Sequence, residues 1–253
     1  MKLKLPAFLV PLGIAIIAFV LPLMLYLKKI GGDNFLYLTD MVAALYSFIV
    51  VVVGFIFLKD KKDTLYGRSL LLILFGIFFW FLADFFWLLF AEKVYLFVES
   101  LRLFGYIPMT LGFFYIFRSS YPNFKEPKMY VIILYSFFIF SIIYLFVIPI
   151  LFGQESLLDS LTINGYLIAD FILTFGIFLL IIVSYLYRGT FLSIIWFIFA
   201  LAFISVFSFD IHFASVWETY YFGHISELLL LLNYILTALG FYFYHIYITK
   251  NES

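Results

Sequence analysis

Residues 67–118 read GRSLLLILFGIFFWFLADFFWLLFAEKVYLFVESLRLFGYIPMTLGFFYIFR, two apolar runs joined by a short polar turn. Each run is long enough for a helix that crosses a bilayer, which takes about 20 mainly apolar residues. Asp84 stands near the end of the first run, and Glu99 and Arg102 stand near the start of the second. Charge at those depths is costly in hydrocarbon, so each of these residues needs a partner or a task. Half a chain later, Glu227, Tyr234 and Gly240 repeat Glu99, Tyr106 and Gly112 at a constant offset of 128. The hairpin therefore reads as the unit of a duplicated chain.

Composition agrees with a membrane protein. Of 253 residues, 66% are hydrophobic and 12% are charged, against about 25% charged in soluble domains. The mean hydropathy is +1.17. The absence of cysteine excludes disulfides, thiolate metal sites and cysteine nucleophiles, and a net charge of zero gives no footing for nucleic acid. The 37 Phe and 20 Tyr suit lipid-facing and interfacial positions. The N-terminus has the basic start of a signal peptide. Its apolar run exceeds about 20 residues with no small-residue cleavage motif after it, so it reads as a retained first span.

Eight apolar stretches can be placed, at 5–27, 37–58, 69–90, 96–117, 129–152, 162–187, 190–212 and 222–247. Runs of this length satisfy their own backbone hydrogen bonds as helices, and the alternating pattern of a membrane barrel is absent. The expected fold class is all-α: a polytopic membrane bundle of eight transmembrane helices forming a single domain over 1–253. Pro22 near the end of the first stretch is matched by Pro149 near the end of the fifth, at an offset of 127. Four spans followed by four more give two parallel repeats, 1–125 and 126–253, which insert the same way up.

Basic residues set the expected orientation. With the N-terminus in the cytoplasm, the inner segments hold Lys2, Lys4, Lys59, Lys61, Lys62, Arg68, Arg118, Lys125, Lys128, Arg188 and Lys250, whereas the outer loops hold Lys28, Lys29 and Lys93. The positive-inside rule then puts both termini in the cytoplasm of a multi-pass cell-membrane protein.

The ionisable residues within the stretches fall mainly in the outer half. Asp170 is the deepest, some nine residues and about 13 Å into its helix. An aspartate at a helix centre costs about 2.5–3.5 kcal/mol on insertion scales, so a functional role is the first reading for Asp170 and Asp84. Asp40, Asp210 and His212, at the ends of their stretches, read as interfacial. Glu99 and Arg102 are three apart on one face, with Tyr106 a turn beyond, and form either a local ion pair or a ligand site. His224 and Glu227 repeat that spacing ahead of Asn233 and Tyr234. Trp80, Asp84 and Trp87 share a face, and the two indoles read as interfacial belt. Pro108, Pro11 and Pro22 are expected to kink their helices.

No His-Glu-x-x-His, glycine-rich phosphate loop or Gly-x-Ser-x-Gly elbow is present. Three histidines are few for a histidine-based metal site. The expectation is a protein with no cofactor, no metal and no catalytic residue.

The run FFWFLADFFW, an acidic residue and then LFGYIPMTLGFFYIFR resemble a multi-span module of prokaryotic membrane sensors, often fused to diguanylate cyclase or histidine kinase domains. Glu99 takes the module's acidic place, Gly105 and Tyr106 its Gly-Tyr place, and Pro108 is displaced by one residue. Asp210, Gly223, Glu227 and Tyr234 look like its later hairpin. The module's serine before the acidic residue is missing here, and so is an output domain. The resemblance covers about half the chain and implies a stand-alone sensor that passes its signal to a separate membrane or cytoplasmic partner. A weaker similarity, an Asp after a small residue in LFGIFFWFLADFFW, points to the eight-span lysoplasmalogenase-like membrane hydrolases, in which two acids would serve as general acid and base.

The expected function is a non-enzymatic sensory or ligand-binding module with an outward-facing polar pocket for an apolar or lipid-like ligand. Its ligand-binding residues are Asp84, Glu99, Arg102, Tyr106, Asp170, Glu227 and Tyr234. An intramembrane lipid hydrolase using paired carboxylates, a proton-coupled transporter with Asp170 as carrier, and the membrane subunit of a complex are the alternatives.

Overall fold

A long apolar run in lipid leaves the backbone no hydrogen-bond partner but itself, and it closes as a helix. The computed structural model describes residues 5–29, 34–90, 94–121, 157–215 and 224–251. Its long elements are α1 (Leu5–Lys28), α2 (Phe35–Leu58), α3 (Gly67–Phe90), α4 (Tyr95–Ser120), α5 (Leu157–Leu186), α6 (Phe191–Ser215) and α7 (Leu228–Asn251). No strand occurs among the described residues. All 7 helices are long and apolar enough to cross a membrane, so the chain is an all-α, multi-pass membrane protein. The stretch 129–152, expected as a further span, lies outside the described residues, as does Pro149. The helices run unbroken through Pro11 and Pro22 in α1 and Pro108 in α4.

The helices close into a ring. Along it α2 packs on α3, α3 on α4, α4 on α5, α5 on α6, α6 on α7, and α7 returns to α2, while α1 lies against α7. Large aromatic side chains fill the middle: Phe113, Trp196, Phe199, Phe203 and Phe241 are fully buried. Phe113 meets Phe203 edge-on at 5.3 Å between centroids, and Phe199 meets Phe241 in the same way at 5.4 Å, the offset geometry that aromatic quadrupoles favour.

Lipid offers apolar surface as readily as a neighbouring helix does, so close association depends on small residues that let backbones approach. The α3–α4 hairpin has two such residues opposite each other. A Cβ on Gly105 would stand 2.8 Å from the Gly76 carbonyl oxygen and 2.9 Å from the Trp80 ring. Further along, a Cβ on Gly112 would stand 2.9 Å from the Ser69 carbonyl oxygen of α3, and one on Gly240 of α7 would stand 2.8 Å from the Phe199 ring of α6. The two glycines related by the offset of 128 thus each mark a tight contact with the preceding helix.

The end of the ring that carries the α2–α3 and α5–α6 turns is held by hydroxyl groups. Tyr66, fully buried, pairs with Ser120 at 3.1 Å and Tyr187 at 2.9 Å, and Thr64 pairs with Tyr244 at 2.9 Å. Burial pushes the Tyr66 phenol above its ordinary range, so it stays a neutral donor and acceptor. Gly189 makes the α5–α6 turn at φ +82°, a conformation open to glycine at little cost.

Gly105→Ala is expected to destabilise the fold by about 1–3 kcal/mol through overpacking against α3, read as a lowered Tm in detergent. Tyr66→Phe removes the hydroxyl that pairs with buried Ser120 and half-buried Tyr187 and is expected to cost about 1–3 kcal/mol in the same assay.

A candidate polar site at one end of the bundle

Opposite the hydroxyl cluster, the helix ends bring charged residues into one layer, and its centre is an ion triple. The short connection after α3 places the end of that helix beside the start of α4. There, Nη1 of Arg102 donates to Oε1 of Glu99 at 3.0 Å, and Nη2 donates to Oδ1 of Asp84 at 3.4 Å. The Asp84 and Glu99 side chains are 10% and 9% exposed, against 33% for Arg102. The guanidinium therefore has one side open while the carboxylates face inward. Oδ2 of Asp84 accepts the Tyr234 hydroxyl of α7 at 2.8 Å. Ser47 of α2 sits beside the Asp84–Tyr234 pair while donating to the Ala43 and Ala44 carbonyls of its own helix.

Trp80 braces the triple from below. Its indole N–H donates to the Arg102 carbonyl at 3.2 Å, and its ring meets Tyr106 edge-on at 5.4 Å. An indole N–H buried in the bundle needs an acceptor, and a backbone carbonyl has a second lone pair to offer. Both Trp80 and Trp87 are buried, which corrects the expectation of an interfacial belt: each indole serves a polar group inside the ring. Trp87 reaches the carboxyl of Asp40 on α2. Asp40, half-buried, also lies within electrostatic range of Glu227, Asp84 and Arg102, so it belongs to the layer.

Glu227 precedes α7 in a 3-10 turn, Ile225–Glu227. Its Oε2 accepts the Tyr26 hydroxyl of α1 at 2.7 Å, tying the outlying helix to the ring. His224 caps this turn through Nδ1, which accepts the Ser226 N–H at 3.3 Å, and its ring stacks on His212 with centroids 5.1 Å apart.

Asp170 stands apart from the triple. Its carboxyl faces that of Asp210 across the α5–α6 contact, and Asp210 in turn lies within electrostatic range of Glu99 and Arg102.

Of the residues expected to bind a ligand, the structure thus joins Asp84, Glu99, Arg102 and Tyr234 by direct bonds and puts Tyr106 behind them. It gives Glu227 to Tyr26 and Asp170 to Asp210. Sequence reasoning left Tyr26, Ser47 and Asp40 out of the site. Tyr26 carries no signal in a chain with 20 tyrosines, whereas Asp40 could have been found as an acid one turn inside a span. No group of three or more His, Cys, Asp and Glu side chains suited to a metal ion occurs among the described residues.

Interhelical hydrogen bonds in membranes average about 0.6 kcal/mol and reach about 1.7, so Tyr234→Phe is expected to cost about 0.6–1.7 kcal/mol. Arg102→Met leaves two inward carboxylates without their cation and is expected to cost roughly 3 kcal/mol or more. Adding Asp84→Asn to Arg102→Met should recover part of that loss. Tm values of the single and double variants in one detergent check the order. No protein-family description, curated protein or solved structure matches the chain.

Proposed function

We propose that the protein is a sensory or ligand-binding membrane module, and that its charged layer receives the polar head of an apolar or lipid-like ligand. The observation that carries this reading is the imbalance of charge in the layer. Asp40, Asp84, Glu99 and Glu227 share the layer with one guanidinium, Arg102, which bonds two of them. An anionic head would meet carboxylates on most sides. A cationic head, such as an amine on an alkyl chain, complements them.

In this reading the layer faces outward, both termini are cytoplasmic, and the basic residues at the opposite helix ends support that orientation. The ligand's apolar part lies along the exposed Leu, Ile and Phe surface that the helices offer to lipid. Signal transfer follows from connectivity. Asp84 bonds α4 through Arg102 and α7 through Tyr234, so a cation that competes for Asp84 weakens the link between the α3–α4 hairpin and α7 and shifts their relative populations. A separate partner protein reads that shift.

The duplication belongs to the same proposal. The four-span halves 1–125 and 126–253 are supported by Glu99 and Glu227 opening equivalent helices and by Gly112 and Gly240 each backing onto the preceding helix.

The test uses purified protein in detergent with long-chain amines, zwitterions and carboxylates of equal chain length. The amine is expected to raise Tm, since a ligand at 100 times its Kd adds about 2.7 kcal/mol, and Asp84→Asn is expected to abolish the shift. A Tm that responds equally to all three head groups, or an amine response that survives in Asp84→Asn and Glu227→Gln alike, overturns the reading.

A further inference from the structure

The ion triple and the Tyr26–Glu227 bond leave one acidic pair that the proposed ligand site does not use. We propose that Asp170 and Asp210 form a proton-binding site, holding a single proton between their carboxyl groups across the α5–α6 contact.

Geometry and chemistry carry this. Asp170 is 7% exposed. Oδ1 of Asp170 and Oδ2 of Asp210 are buried and have no hydrogen-bond partner, while the two carboxyls face each other. Neither group can donate when ionised, so two carboxylates placed in this way would meet only repulsion in a medium that screens poorly. One proton turns the contact into an O–H···O⁻ hydrogen bond, among the strongest available to side chains. It also leaves the pair with one negative charge rather than two.

The surroundings set that number. From α4, Glu99 and Arg102 act on Asp210. Arg102 is bonded to Glu99 at 3.0 Å and Asp84 at 3.4 Å, so it offsets part of one further charge and not two. On α6 the next titratable group is His212, which stacks on His224 of the turn before α7. Arg102 is the one cation among the strongest influences on the pair. A divalent metal ion is the poorer occupant, because it takes six or more oxygen ligands and no cluster suited to a metal occurs among the described residues.

The site stands apart from the cation-head reading and remains if that reading fails. Because the pair bridges α5 and α6, gain or loss of its proton alters a polar contact between those helices.

Infrared spectroscopy of the intact protein in nanodiscs reads the proton directly. In neutral buffer the wild type is expected to show the carbonyl stretch of a protonated carboxyl, shifted in D2O and shifted again when the protein is made with 13C-labelled aspartate. Asp170→Asn and Asp210→Asn, each of which supplies an amide donor to the remaining carboxylate, are expected to lose that band. The conservative Asp210→Glu is expected to keep it at a changed frequency. The 13C shift assigns the band to aspartate in the wild type even where a variant does not fold. A wild type without the band, a band that ignores the aspartate label, a band unchanged in both Asn variants, or one that appears only when sodium is withdrawn overturns the proposal.

Discussion

A charge inside hydrocarbon must arrive with its counter-charge, and in this protein Arg102 supplies it. Its guanidinium lies between Glu99 of its own helix and Asp84 of the helix before. Once Asp84 has given one oxygen to Arg102, its other oxygen takes the Tyr234 hydroxyl from α7. The Arg102 carbonyl takes the Trp80 indole. Three helices are thereby fixed in register at one level. The Leu and Phe surfaces around them cannot do this, because lipid competes for apolar contact and one turn of such a helix is much like the next.

The two ends of the bundle are built from different chemistry, and they differ in what can alter them. Neutral hydroxyls and phenols join Tyr66, Ser120, Tyr187, Thr64 and Tyr244. These groups hold their state across ordinary pH and offer nothing for a small ion to compete with. The opposite end is held by carboxylates, a guanidinium and two histidine rings. There a proton or a charged ligand changes the strength of the bonds themselves. Groups that keep their charge and groups that can change it are thus divided between the two ends of the bundle.

What could be read from the sequence follows from the range of each interaction. Helix positions were legible because the length and polarity of each apolar run fix them locally. The Glu99–Arg102 pair was legible because a spacing of three residues puts both on one helix face. The approach of Asp84 was partly so, since a short turn returns the chain to the same level. Tyr26 and Glu227, 201 positions apart, and Asp84 and Tyr234, 150 apart, were not. Their meeting depends on α7 closing the ring against α1 and α2, and no periodicity in an almost uniformly apolar chain reveals helix order. For the same reason the sequence shows Asp210 at the end of a stretch, but not that α5 carries Asp170 to meet it.

Glu99 and Glu227, 128 positions apart, meet partners of different chemistry. Glu99 is neutralised within its own helix by Arg102. The position 128 beyond Arg102 is Leu230, so the arginine is not repeated beside Glu227. Glu227 accepts the Tyr26 hydroxyl of the outlying helix instead. A neutral phenol stabilises a carboxylate by one hydrogen bond but leaves its charge in place, whereas a guanidinium cancels it. Glu227 therefore adds to the negative charge of a layer in which Asp40, Asp84 and Glu99 already outnumber Arg102. The Tyr26–Glu227 bond, together with the Tyr46 hydroxyl of α2 that donates to the Ala18 carbonyl at 2.6 Å, ties α1 to the ring.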